Sequence, residues 1–500
     1  MTLPENLIDT YNFFIPIAIL YAELHYKFKL TGSRYFIKEP EIISDVPIRI
    51  EPGKCLPIFI IIKDSHLFPI KLNNINIKIF KNKNNIYSKT ITYNEKIKQR
   101  WWEDIVEIDS LKNIGEIEIV IIFNYIVNGN SRSCKMHNYP LSNRDAHKTY
   151  LSKYPYPRGT NTYYGDLHYH TNLTEDVVEF GASLKSTLIA ANMSGLDFYC
   201  NTDHSYDLDD LIGSWTETDP NLEKWTKSRS EIENLNNNES YSSFIIPSEE
   251  LSLHNYQGRN IHALILNNSQ YIPGSGDSAE IPFNFNSDYN TETVNNVLEE
   301  NSLCIAAHPF VPVPFLQWLF VKRGRWNVED LKNEKVSGLQ ILNGAIDKGF
   351  KDGYDIWIKL LLSGMKKFIY AGNDAHGNFN IFRQIKIPMI SLYEKKEQLF
   401  GEYRTGVIIN SNSQNIQSTV QNLKNGNCFI TNGPFININV NHNNEFFEMG
   451  KTLTAMEFLL NITVISSPEF GKINNIYIIR GKIKSNSEDI ISSFENLNKH

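Results

Sequence analysis

From residue 40 to about 130 the hydrophobic positions keep the rhythm of strands. Runs rich in isoleucine and valine, IRIEPGKCLPIFIIIKD, INIKIF and GEIEIVIIFNYIV, are separated by Pro-Gly, Asn-rich and Lys-Asn turns. In Asn76-Ile77-Lys78-Ile79 and Glu116-Ile117-Glu118-Ile119 every second side chain is polar, which leaves one face of each strand wet and the other dry. Such strands predict a β-sandwich-like domain that, with a polar linker ending in YPYPRGTNTYY, occupies residues 1–160.

The rhythm changes at Gly165. Short apolar runs (LDFYCNTDH, FIIPSEE, IHALIL, CIAAHP, GLQILNG, FIYAGNDAH) now alternate with helix-like stretches such as SLKSTLIAANMSG and TETVNNVLEEN. Strand–helix alternation predicts a parallel α/β sheet or barrel over residues 161–400, with chemistry at the strand C-termini. After residue 400 the texture returns to β in TGVIIN, CFITNGPFININVN and FLLNITVIS, predicting a second β-sandwich-like domain over residues 401–500.

Composition narrows the function classes. A hydrophobic fraction of 41% suits several buried cores, and 500 residues exceed one ordinary domain. The net charge of −7 and pI near 6.0 argue against nucleic acid as the main partner. Five cysteines with no CxxC favour neither a disulfide framework nor a thiolate zinc site, and point to a reducing compartment. The N-terminus carries Glu5 and Asp9 but no early lysine or arginine, and the apolar run from Phe13 to Ala22 is too short to span a bilayer. The expectation is a cytoplasmic protein with no membrane partner.

Candidate chemistry collects where the apolar runs stop. In Asp166-Leu167-His168-Tyr169-His170-Thr171 the HxH spacing sends two imidazoles to one side of a strand, a start for a Zn, Mn or Fe site. Alone, such a pair is more often a surface feature. Asp203-His204 ends LDFYCNT; Asp203 is either a helix cap or the group that fixes the tautomer of His204. Glu249-Glu250 follow FIIPS, His262 opens a strand, His308 ends CIAAHP, and Asp374 and His376 form a DxH after KKFIYAG. Any one of these has a bland reading as a turn. Repetition carries the argument, because ordinary turns would favour glycine, serine and lysine at those places.

The ordered set DLHYHT, NTDH, Glu250, His262, AHP and NDAH resembles the PHP superfamily, named for polymerase and histidinol phosphatase, over residues 164 to roughly 395. The flanking β-segments and CFITNGPF resemble its carbaryl-hydrolase-like branch. The resemblance implies an α/β fold, a distorted (β/α)7 barrel flanked by β-sandwich domains, and roughly two or three divalent ions, Mn, Zn or Fe. It implies that His168, His170, Glu250 and Asp374 hold one ion, Glu250, His262 and His308 a second, and His204, His376 and an early acid a third. Glu175 stands at the offset of that acid, with Asp176 as the alternative; Glu249 is the alternative to Glu250.

The implied activity is that of a metal-dependent hydrolase, foremost a phosphoesterase using a metal-activated hydroxide on a small anionic ester. His204, His376 and Asp203 are the candidates for direct catalytic roles. A carbamate or amide hydrolase on the same site is the alternative, and a non-catalytic binding module a further one. Arg259, Arg323 and Arg383 are candidate substrate contacts, since a guanidinium fork matches phosphate oxygens. The excursion FVPVPFLQWLFVKRGRW, residues 310–326, reads first as packed chain with a solvated basic face and second as a substrate lid.

Overall fold

The computed structural model describes residues 39–112, 114–138, 144–174, 180–212, 214, 217–276, 284–320, 322–380, 386–387, 390–391, 398–410, 415–443 and 445–499. The first part of the chain forms two sheets. Glu41–Asp45, Leu56–Lys63 and Trp101–Ile108 make an antiparallel three-stranded sheet. Opposite it, Gly115–Val127 and Ile70–Lys81 pair antiparallel, flanked by Asn84–Ile97 on one side and His147–Leu151 on the other. Ile58, Ile60 and Ile62 of one sheet meet Ile75, Ile77, Ile79, Ile119 and Phe123 of the other in a common core. The strand Leu56–Lys63 lacks alternation because it is buried on both faces: Phe59 and Ile61 turn the other way and pack with Tyr169 and Phe180 of the central part.

That central part is one curled sheet. Its strands run in the order Phe368–Gly372, Val336–Asn343, Leu303–Ala306, Asn260–Leu266, Phe244–His254, Phe198–Asn201, Thr162–His170, Arg404–Ile408 and Cys428–Thr431. Just past its first strand, Ala375–His376 pairs with Thr162–His170, so the sheet returns on itself and nearly closes. Two of the strands added to Thr162–His170, Arg404–Ile408 and Cys428–Thr431, lie beyond residue 400. The core sheet therefore draws on the C-terminal segment, with the helix Ile416–Lys424 between those strands.

This architecture corrects the expected (β/α)7 barrel. The chain is 41% strand and 15% helix, too little helix for one after every strand. The strand directions are mixed: Phe244–His254, Asn260–Leu266 and Leu303–Ala306 are consecutive antiparallel neighbours. The reason is local. The run FIIPSEE does not end at Glu250 but continues to His254, and a turn at Gly258, with φ of 69°, sends it back as a hairpin. The helix expected in TETVNNVLEEN is one short 3₁₀ segment, Thr293–Asn296. By contrast SLKSTLIAANMSG does form a helix, Leu184–Ser194, started by the Ser183 side chain accepting from the Ser186 amide and stopped by Gly195 at φ 92°.

The last residues form a three-stranded sheet (Phe435–His442, Glu445–Glu448, Leu459–Ile465) and a hairpin, Ile476–Gly481 with Glu488–Phe494. Many of their large apolar side chains, Phe446, Leu459 and Ile490 among them, are exposed.

Candidate metal centre

The ends and middles of the central strands point one set of imidazoles and carboxylates into a common buried space. His168 and His170 are two apart on Thr162–His170, so both face inward; each is fully buried. Their Nε2 atoms lie 3.1 Å apart. Both also lie 3.2 Å from Glu250 Oε2 and 3.2 Å from Asp374 Oδ1. Glu250 comes from the middle of Phe244–His254, opposite the hairpin partner that supplies His262. Its Oε1 stands 2.8 Å from His262 Nδ1 and 3.0 Å from His308 Nε2, and its Oε2 stands 3.3 Å from His204 Nδ1. His376 stacks on the His170 ring at 4.1 Å and 7°.

These contacts fit a cation better than protons. Two Nε2 atoms 3.1 Å apart share at most one hydrogen, and buried His204 Nδ1 makes no hydrogen bond among the described residues. Nitrogen and oxygen ligands at about 2.1 Å from one tetrahedral ion would stand about 3.4 Å from each other, close to the spacings observed. Three groups have ligand atoms within 4.8 Å of one another: His168, His170, Glu250 and Asp374; His204, Glu250 and His262; and His170, His204 and His376. Shared members make the three groups a single cluster.

The charges are consistent with that demand. Burial alone would raise the Glu250 and Asp374 carboxyls, but the surrounding imidazoles, His262 and His168 for Glu250 and His168 and His170 for Asp374, hold both well below the carboxylate range. Burial lowers His168 and His170, yet Asp374 and Glu250 outweigh it and raise both. Burial, reinforced by His170, lowers His204 well below its ordinary value and His376 to about 3, so both imidazoles are neutral and able to donate lone pairs. The backbone is strained here too: His308 has φ of 27° and Asp374 φ of 53°, the left-handed region that non-glycine residues seldom enter and that gathers at functional sites.

No family model and no curated protein matches the chain. Among solved structures it is similar to the sporulation control protein Spo0M of Bacillus subtilis, at 9% identity over 48% of this chain and 69% of that one, with a TM-score of 0.16. A likeness that slight carries no argument about fold or function.

The residues singled out in the sequence divide into three classes by position. His168, His170, His204, Glu250, His262, His308, Asp374 and His376 converge. Asp203 does not touch the His204 ring: its carboxylate accepts hydrogen bonds from the Thr171 amide at 2.6 Å, the Thr171 hydroxyl at 2.9 Å and the Thr174 hydroxyl at 3.1 Å. Since Thr174 Oγ1 lies 3.4 Å from His170 Nδ1, Asp203 braces the loop behind His170. Glu249 points to the opposite side of the strand, where Ser205 donates to it and burial pushes its carboxyl up to about 7. Arg323 reaches the cluster, with Nη1 2.9 Å from His262 Nε2. Arg259 does not; it lies against Trp318. Glu175, Asp176 and Arg383 lie outside the described residues.

Three supporting side chains were missed. Gln340 Oε1 is 2.9 Å from His168 Nδ1 and also accepts from the His308 amide, fixing two ligands at once. Asn343 Nδ2 donates to Asp374 Oδ2 at 3.2 Å. Tyr206 stacks on the His204 ring at 4.8 Å and 13°. A signal existed for the first: a fully buried glutamine inside the apolar run GLQIL needs a partner.

Proposed function

We propose that this chain is a metal-dependent hydrolase, foremost a phosphoesterase acting on a small anionic ester, related to the PHP superfamily and working in the cytoplasm. The observation that carries the reading is Glu250, one buried carboxylate within 3.3 Å of five imidazole nitrogens. Structural burial of a carboxylate needs one or two donors; five histidines around it are the donor set of a multinuclear Mn, Zn or Fe site. Ions held there by His168, His170, Glu250, Asp374 and their neighbours would supply Lewis acidity and an activated water.

The chain's own residues have separable parts in that chemistry. Gln340 and the Thr171–Thr174 loop, braced by Asp203, orient His168, His170 and His308. Arg323 supplies a fixed positive charge beside His262, which favours an anionic ester over a neutral one. Neutral His204 and His376 keep lone pairs free to hold an ion of the cluster together with His170. Five free cysteines, two of them buried, support a reducing compartment, and no helix of the described residues is long and apolar enough to cross a membrane.

Release of nitrophenol from a nitrophenyl phosphodiester and monoester, with and without manganese, tests the reading. Manganese-dependent turnover that disappears in His204→Ala is expected, and the better ester names the subclass. Folded protein that holds metal yet turns over neither ester would refute the phosphoesterase reading.

A further inference from the structure

Between His308 and Arg323 the chain leaves the sheet and returns, and both ends of the excursion are anchored in the metal centre. His308 Nε2 lies 3.0 Å from Glu250, and Arg323 Nη1 lies 2.9 Å from His262. The Arg323 amide also donates to the Gln317 carbonyl at 3.2 Å, so the intervening helix, Phe315–Phe320, stands one arginine side chain away from the cluster. The ends of the excursion, Phe310 and Trp326, pack into the core, but three side chains of the helix do not. Phe315, Trp318 and Leu319 are 66%, 41% and 49% exposed. Three large apolar side chains on six residues is a concentrated exposed patch, of the kind that marks a binding surface.

The patch is also held in place. Phe315 and Trp318 stack with ring centroids 6.0 Å apart at 19°. The Arg259 guanidinium lies 4.1 Å from the centre of the Trp318 ring and donates to the Trp318 carbonyl at 2.9 Å. Arg259 is itself fixed by the turn of the hairpin that carries Glu250 and His262, its backbone amide donating to Asn255 Oδ1. An exposed aromatic already immobilised by its neighbours loses little further freedom when something packs on its exposed part.

We propose that Phe315, Trp318 and Leu319 form a platform for an apolar, planar group on the substrate. The substrate class is then an aryl-bearing phosphoester, its anionic phosphorus centre beside Arg323 and its ring on Trp318. This inference rests on the hydrolase reading, since it takes the metal centre as the place where the anion sits. Position supports the occupant: the helix that carries the apolar side chains is tied through the Gln317 carbonyl to Arg323, whose guanidinium touches the ligand cluster.

Calorimetry on the manganese-loaded full chain separates the two claims without relying on turnover. The probes are methylphosphonate and naphthylmethylphosphonate, which share a head group that is not hydrolysed. The aryl probe is expected to bind at least about tenfold more tightly, the scale of burying and stacking one aromatic ring. A Phe315→Ser/Trp318→Ser double variant should erase that difference and leave methylphosphonate unchanged; both positions are exposed, so the fold persists. Arg259→Ala, which frees Trp318, should lose part of it. Equal affinities in the unaltered protein would overturn the platform while the anion site stands. Binding of neither probe would overturn the anion site and the platform with it. Variant-sensitive binding to phosphatidylglycerol vesicles with no preference between the probes would likewise overturn it, and assign the patch to a lipid surface.

Discussion

The two-sheet unit near the N-terminus and the curled central sheet are built from the same material, isoleucine-rich strands buried on one or both faces, yet they bury polar groups in opposite ways. In the first, the two buried imidazoles meet partners of the complementary kind. His137 faces Glu41 at 2.9 Å, and His147 faces the Ser44 hydroxyl at 3.3 Å. In the second, groups of the same kind face each other, imidazole nitrogen against imidazole nitrogen and one carboxylate against five rings. Burial of a satisfied pair is a structural arrangement. Convergence of lone pairs is costly for the fold unless a cation joins it, and that difference separates a functional site from a packed polar core.

The comparison breaks most readily at Glu250. Glu250→Gln keeps the shape and removes the shared charge. Loss of a group that only supports a ligand costs 10- to 100-fold in metal affinity, so loss of this carboxylate should cost more than about 100-fold, with ester turnover falling to the metal-free background. Titration with manganese, read by calorimetry and turnover, checks it; unchanged affinity would return Glu250 to an ordinary buried acid. The next effect belongs to Asp203. Asp203→Ala frees Thr171 and Thr174 without removing a ligand, and metal affinity should fall by about 10- to 100-fold. A loss confined to thermal stability, with metal affinity intact, would confine Asp203 to the fold.

The smallest effect sharpens the other side of the comparison. His147 is fully buried, and burial lowers its imidazole to about 3 from the ordinary 6.5. Asp45, 3.9 Å away, offers little relief, because its oxygens already accept from the Val46 and Phe379 amides. As pH falls below about 6.5 the unfolded chain takes up a proton that the folded chain refuses, so stability declines with falling pH down to about 3. By pH 4.5 the loss reaches about 2–3 kcal/mol. His147→Phe should flatten that part of the curve, measured by denaturant unfolding between pH 7 and 4.5. An unaltered acid limb would place the sensitivity elsewhere.

The site was more legible in the sequence than the fold that holds it. His168, His170, His204, His308 and His376 stand out because a titratable side chain within or at the end of an apolar run has few bland explanations. Strand direction leaves no such mark. A doubly buried strand reads as an unbroken apolar run whether its neighbours are parallel or antiparallel, so IHALIL and CIAAHP read as βα units although they form antiparallel pairs. Glu250 accordingly reads as ending a strand and His262 as opening one, although each lies within its strand. TGVII was likewise assigned by texture to the C-terminal segment, and nothing in its five residues could announce pairing with Thr162–His170. Asp203 reads from the sequence as a helix cap or as the group that fixes the His204 tautomer, because no signal distinguishes those roles from a carboxylate that braces a loop.

Whether the histidine and carboxylate cluster holds divalent metal is tested most directly by elemental analysis. Protein made with manganese, zinc and iron supplied, then freed of loose ions by gel filtration, should retain at least about two ions per chain, with the count falling in Glu250→Gln. Folded protein that retains none would contradict the account.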